Sequence, residues 1–384
     1  MSRTTMPASA IVGVGEAGIG RPDHAATELE ITASAVMTAL GDAGITLGEV
    51  DGVFTASTTD ALSSLSLCEY LGVRPTYIDS TNMGGSSFVT HLEHASLAIA
   101  SGKCSVAVIA YGSVQYSRSK QLQSPVQPSI YERGTAARMP VSAYALATAR
   151  HMFEFGTTRE DLARVVVASR EWAGLTPGAT ERSPVSVADV LESRMVSTPL
   201  SRMDCCLVTD GAGAVVLVSR DRAAGVRADA VDVLGSATAT SHMAISQMPE
   251  LTSSAAVDTG LRVFAETGLS PQDVDVLQLY DAFSINPIIF LEDLGFCEKG
   301  EGGAFIESVG IGPAGGLPVN TNGGGLSYCH PGMYGIFMII EAVRQLRSEA
   351  GSRQVKDAEI ALVHGNGGRL SAQATALLGR SSVL

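Results

Sequence analysis

The strongest constraint on this chain is that a stretch of it occurs twice. Residues 35–54, AVMTALGDAGITLGEVDGVF, line up with residues 259–278, TGLRVFAETGLSPQDVDVLQ. Gly44 falls on Gly268, Val50 on Val274 and Asp51 on Asp275, with near-matches at Ile45/Leu269, Thr46/Ser270 and Glu49/Asp273. Both copies read as an amphipathic helix, a Gly where the helix closes, a short turn and the start of a strand. Glycine suits the closing position because it reaches the left-handed conformation without a Cβ penalty. There is a second echo: residues 95–113 and 340–366 each run from helix through a turn into an apolar strand. The chain is therefore predicted to be α/β, with two similar halves that each read strand, helix, strand, helix, strand. Such alternation implies a mainly parallel sheet covered on both faces. Candidate strands are Ile11–Val14, Val53–Thr55, Val106–Tyr111 and Ala214–Val218, then Ala230–Leu234, Val276–Leu279, Glu359–Val363 and Ala374–Leu378. The expected halves are residues 1–225 and 226–384, meeting at the polar stretch SRDRAAGVRAD (219–229). Residues 114–200 carry Pro125, Pro128, Pro140, Pro177, Pro184 and Pro199. They read as an irregular insertion over the first half, where substrate contacts gather.

Composition excludes several classes. Hydrophobic residues make up 45% of the 384 and charged residues 17%, a compact globular balance. The net charge is -13 with no basic block, so nucleic acid is not an expected partner. An anionic ligand can still be held locally by helix N-termini and a few Arg or Lys. The start, MSRTTMPASAIVGVGEAG, lacks the apolar core of a secretory signal, and no run reaches the roughly 18 apolar residues of a membrane span. Six Cys without a CxxC pair indicate neither a disulfide framework nor a zinc site, and a cytoplasmic location is expected. His91 and His94, with Glu93 between them, lack a third ligand, so no metal is expected. The glycines of GVGEAGIG (13–20) follow a strand, but Arg21-Pro22-Asp23 opens no helix. That run reads as a loop between the first strand and helix.

Four motifs in order then carry a resemblance. Asp210-Gly211-Ala212-Gly213-Ala214 leads into a strand. Leu279-Tyr280-Asp281-Ala282-Phe283-Ser284 follows another. Asn322-Gly323-Gly324-Gly325-Leu326-Ser327-Tyr328-Cys329-His330-Pro331 is a glycine-rich loop, and Val363-His364-Gly365-Asn366-Gly367-Gly368 comes last. Together they resemble the thiolase superfamily over nearly the whole chain, and the second is most similar to the sterol-carrier-protein thiolase version. The resemblance implies a five-layered α-β-α-β-α core, an acyl-CoA substrate, no tightly bound cofactor beyond the CoA of that substrate, and a homodimer paired through the first-half sheet. One position departs from the pattern. Where a thiolase places its nucleophilic Cys, this chain has Gly85 in Asn82-Met83-Gly84-Gly85-Ser86-Ser87, and His364 stands where the second reactive Cys belongs.

A thiolase needs a thiolate activated at a helix N-terminus to form an acyl-enzyme. Gly85 cannot be acylated. Ser86 and Ser87 are read as caps satisfying the first N–H groups of the next helix. The machinery that survives is for stabilising an enolate oxygen with preorganised donors. His330 is the leading donor. Tyr280, Tyr328, His364 and Asp281 remain alternatives for the base, and Cys329 reads as a small buried hydrophobe. Gly85, Ser86, Asn322, Gly324, Gly325, Asn366 and Gly367 are the expected substrate- and CoA-binding positions. An enolate site without a nucleophile suits retro-aldol cleavage of a 3-hydroxyacyl-CoA to a carbonyl compound and a shortened acyl-CoA. Cys-less relatives of this kind are aldolases that work with a small OB-fold/zinc-ribbon partner, which the resemblance implies here. A thiolase-type acyltransferase and a non-catalytic acyl-CoA or lipid-binding subunit stay open as alternatives.

Overall fold

The computed structural model describes residues 8–22, 26–120, 129–135 and 137–381. The strands are β1 (Ser9–Gly20), β2 (Gly52–Thr55), β3 (Tyr77–Asp79), β4 (Val106–Val114), β5 (Met195–Ser197), β6 (Leu200–Ser201), β7 (Asp210–Ser219), β8 (Val231–Thr240), β9 (Val276–Leu279), β10 (Ile360–Gly367) and β11 (Ala372–Arg380). Every candidate strand is found, most of them longer than expected, and β3 is additional. Nine join in the order β3-β2-β4-β7-β1-β8-β11-β10-β9, while β5 and β6 form a separate hairpin. From the central β1–β8 seam outward, the two sides are built alike. Beyond β9, where β3 would have its counterpart, a single parallel bridge joins Leu277 to Val319.

The expectation of a mainly parallel sheet is corrected. Only β2–β3, β2–β4 and β9–β10 are parallel; the other five pairings are antiparallel. Each side closes on a strand that returns against its neighbour. Between β10 and β11 only residues 368–371 intervene, too few for the crossover a parallel pair needs.

The repeated sequence maps onto repeated hydrogen bonds. Gly44 (φ 66°) and Gly268 (φ 72°) close the helices Glu28–Ala43 and Ala256–Thr267 in the left-handed conformation. Thr46 with Glu49, and Ser270 with Asp273, form capping boxes on the following turns. Asp51 accepts from the backbone N–H groups of Ser105 and Val106, both at 2.8 Å. Asp275 accepts from Glu359 and Ile360 at 2.8 and 2.9 Å. Each aspartate ties the start of one strand to the start of its neighbour.

Successive strand residues feed opposite layers. Ala10 and Val12 pack toward the outer helix Glu28–Ala43, while Ile11 faces the interior cluster. The same alternation splits Val106, Val108 and Ala110 from Ala107, Ile109 and Tyr111. The helices Ser87–Ala100 and Gly335–Leu346 lie between strands of both halves, and Ala256–Thr267 covers the far side. The layering is α-β-α-β-α. A helix covered on two sides is buried on nearly every face: Ile336–Val343 is buried throughout, and its one charged residue, Glu341, is paired with Arg353.

Two further expectations change. Residues 114–200 are not irregular: they hold the helices Val141–Phe155, Arg159–Gly174 and Val187–Glu192 and the β5–β6 hairpin. Thr158/Asp161 and Ser186/Asp189 are capping boxes, and Pro140 sits at an N-cap, so the prolines punctuate elements. Pro125 and Pro128 lie outside the described residues. The glycines 13–20 are not a loop either, because β1 runs through them. A Cβ on Gly13 would meet the Ala39 carbonyl at 2.2 Å, so the glycine serves close helix–strand packing. Among the described residues no helix is long and apolar enough to cross a membrane.

Candidate active site

A cavity of about 510 Å³ opens where the two interior helices begin. Four chain segments form most of its wall: the Asn82–Gly85 turn, the loop after β9, residues 330–333, and residues 366–372 from the end of β10 to the start of β11; Thr58, Pro140, Tyr144 and residues 240–243 complete it. None of the six cysteines lines it, and all six thiols are free. Burial pushes the pKa values of Cys206 and Cys329 well up, so neither supplies a thiolate.

Gly85 and Tyr280 are matched. A Cβ on Gly85 would lie 2.1–2.4 Å from the Tyr280 ring, so the phenol occupies the space a side chain would take. The Tyr280 oxygen accepts from the Tyr334 backbone N–H at 3.2 Å and lies 3.1 Å from His330 Nε2. The Tyr280 and His330 rings meet edge-on, with centroids 5.8 Å apart. Burial pulls the His330 imidazole down to about 4, which keeps it neutral at ordinary pH, and pushes the Tyr280 phenol well up. His330 Nδ1 is buried without a partner among the described residues. A neutral imidazole touching a phenol can exchange a proton with it, and both residues line the cavity.

The other expected residues divide by position. Asp281 is off the cavity wall, accepting from Gly325 N at 2.6 Å and Leu326 N at 3.3 Å. Burial raises its carboxyl to about 7 against those hydrogen bonds. Asn322 Oδ1 accepts from Gly324 N at 2.9 Å and from the Tyr334 hydroxyl at 2.8 Å. Asp281, Asn322, Gly324 and Gly325 thus shape a π-helical turn, Gly324–Tyr328, that presents His330. Tyr328 is turned to other work: its hydroxyl donates to Glu16 at 3.0 Å, and Glu16 pairs with Arg344. His364 is behind the wall, with Nδ1 at 2.8 Å from Thr375 Oγ1 and Nε2 at 3.0 Å from Gln373 Oε1. Gly367 packs its backbone on the Met83 carbonyl, and Asn366 lines the cavity.

The two serines do not cap the helix as expected. Ser86 Oγ donates to the Met83 carbonyl at 2.9 Å. Ser87 Oγ donates to Gly84 O and accepts from Met83 N, so both lock the Asn82–Gly85 turn. His94 Nδ1 contacts Asp79 at 2.6 Å, and no metal-binding group of three side chains occurs among the described residues.

Sequence reasoning passed over Tyr144, Met83, Met243, Met333 and Arg369, which line the same cavity. It also passed over the helix Arg159–Gly174. That helix clamps the glycine-rich loop: Ser169 Oγ donates to Gly323 O at 2.6 Å, and Arg170 Nε donates to Ser327 Oγ at 3.1 Å. The one legible signal there was the T-x-x-D capping pattern at Thr158.

Known proteins resemble this chain over nearly its whole length. The family described as "Thiolase C-terminal domain-like" matches residues 237–380. The acetyl-CoA acetyltransferase of Methanothermobacter thermautotrophicus is 35% identical over 94% of this chain and 96% of its own length. The 17-hydroxy-3-oxo-4-pregnene-20-carboxyl-CoA lyase of Mycobacterium tuberculosis is 33% identical over 88% of this chain and 91% of its own. Among solved structures, the Ltp2-ChsH2(DUF35) aldolase superposes with a TM-score of 0.88 at 29% identity, covering 98% of this chain and 99% of that one.

Proposed function

The chain belongs to the thiolase superfamily, and from that premise we propose that it is a lyase cleaving the C2–C3 bond of a 3-hydroxyacyl-CoA by a retro-aldol reaction. The observation that carries this reading is the Tyr280 ring seated over Gly85, its hydroxyl against His330. The nucleophile's place is filled by a proton carrier. In the reaction the 3-hydroxyl proton passes to the Tyr280–His330 pair and the oxygen forms a carbonyl at C3. The C2–C3 bond breaks, and its electrons move onto the thioester oxygen. The same proton then returns to C2 and releases the shortened acyl-CoA, so nothing but substrate is consumed. No acyl-enzyme forms. CoA enters as part of the substrate. The cavity wall is mostly apolar, with Met83, Met243, Met333 and Phe283, which suits a hydrophobic acyl group.

The related aldolase structure names two components, and we infer a DUF35-type partner here as well. We also infer a homodimer through the β3 edge. Ile78 is 44% exposed on that short strand, and Leu65 and Leu97 on the flanking helices are 54% and 62% exposed. A two-sided apolar edge of this kind invites pairing.

One second reading is favoured by a specific observation, the acetyltransferase relative at 35% identity. Mass spectrometry of 3-hydroxyacyl- and 3-ketoacyl-CoA esters, with and without a DUF35-type partner, separates the two. Cleavage of the hydroxy esters without free CoA supports the lyase. Reaction of keto esters alone, requiring free CoA, means an acyltransferase. Tight acyl-CoA binding without turnover means a binding subunit.

A further inference from the structure

We propose that Tyr144 is a hydrogen-bond donor to the reacting thioester oxygen, its hydroxyl aimed by a buried relay that starts beside the outer helix Ala256–Thr267. The proposal rests on the enolate chemistry above and assigns the oxygen a ligand that the Tyr280–His330 pair does not provide.

Tyr144 comes from the helix Val141–Phe155, in the segment read as an insertion, and its ring stacks on Phe283 with centroids 4.3 Å apart. It lines the cavity together with Asn366 and Gly368, and its hydroxyl meets both, with the Leu370 backbone also in hydrogen-bond reach. Asn366 Nδ2 donates to the Tyr144 oxygen at 2.7 Å. Asn366 presents its amide nitrogen there because its Oδ1 accepts from Gln373 Nε2 at 3.0 Å. Gln373 then turns Oε1 to His364 Nε2 at 3.0 Å, so that nitrogen carries the hydrogen. His364 Nδ1 is left to accept from Thr375 Oγ1 at 2.8 Å. Thr375 also lies 2.7 Å from Thr259 Oγ1, whose own proton reaches the Ala256 carbonyl at 3.1 Å. From Thr375 onward every link donates in one direction, toward Tyr144.

All six side chains are at most 2% exposed, so water does not compete for these bonds. The phenol oxygen is thereby held as an acceptor and its own proton is left over. Among the described residues that proton meets the Gly368 carbonyl at 3.4 Å, longer than an ordinary O–H···O bond. A substrate oxygen entering the cavity is a better acceptor. A donor fixed before substrate arrives costs no reorganisation when negative charge develops on that oxygen. His364, which cannot reach substrate, acts as a positioning residue at the middle of the relay.

Exchange of the C2 hydrogens of acetyl-CoA in D2O, followed by mass spectrometry, reads enolate formation without any C–C cleavage. Tyr144→Phe removes the donor and keeps the ring. Asn366→Asp keeps the shape and reverses the polarity, because a carboxylate accepts the phenol proton. Both variants are expected to slow exchange by about 100-fold, the cost of losing one such donor, with KM for acyl-CoA changed less than about threefold. Exchange within about twofold of wild type in Tyr144→Phe overturns the proposal, whatever Asn366→Asp does. A wild type that shows no exchange overturns it too. A wild type that exchanges but cleaves no 3-hydroxy ester sinks the retro-aldol reading alone, and the Tyr144 variants still decide this one.

Discussion

A single hydrogen atom at position 85 decides the geometry of the whole site. Replacing Gly85 with Ala drives a methyl into the Tyr280 ring, and such overpacking costs about 1–3 kcal/mol. Gly85→Ala is therefore expected to lower the denaturant midpoint and to reduce activity at least tenfold. The double variant with Tyr280→Ala is expected to lose less stability than the two single costs together, because the clash is gone. His330 gives a second expectation. With its imidazole near 4, the acid limb of kcat/KM should fall near pH 4, well below the limb near 6.5 of an ordinary histidine. A pH profile from 3.5 to 9 reads this directly. Asp281 gives a third. Its carboxyl holds a proton more tightly in the fold than in the open chain, about 7 against an ordinary 3.8. Its contribution to stability is complete below about 4 and is lost as pH rises through about 7. Denaturation of wild type and Asp281→Asn across pH 4–8 should show a steeper decline in the wild type than in the variant. Gly85, Tyr280, His330 and Asn366 were legible as site positions because motif order alone places them. His364 and Tyr328 carry equal weight in the sequence, since a linear motif does not say which way a side chain turns.

Elements carry the repeat. Asp51 and Asp275 each accept two backbone N–H groups at the start of a strand pair, so each is expected to cost about 1–3 kcal/mol when changed to Ala. The two sites share no partner, and the costs should add in chemical denaturation. The helix Arg159–Gly174 offers a contrast. Thr158→Ala removes its capping box and should cost about 1 kcal/mol, and because the helix holds Gly323 and Ser327 it should also lower kcat. The duplicated helix–turn–strand units could be read from the chain because their matched residues do local work: closing a helix, capping a turn, stapling two strands. The antiparallel pairings could not be read this way, because strand direction is set by how the chain returns across many residues. The three-residue β3 was too short for any period to show.

At the scale of the molecule, one sheet is assembled from strands of both halves, and the interior helices belong to neither layer alone. The β3 edge is the surface left to test. Sedimentation is expected to give twice the 39.7 kDa chain mass, and Ile78→Lys is expected to shift it toward one chain while the fold persists. The candidate cavity draws side chains from both halves, among them Tyr144 of the helix Val141–Phe155, so no single half holds the site. The seat that Tyr280 takes above Gly85 also orders the history open to this site. A cysteine arriving at position 85 first meets an aromatic ring and is selected against before it can react. A small residue arriving at position 280 first leaves room for a later thiol. A route from this site to a thiol-based one therefore has one passable order of steps, and laboratory evolution toward a thiolase should recover the change at 280 before the change at 85.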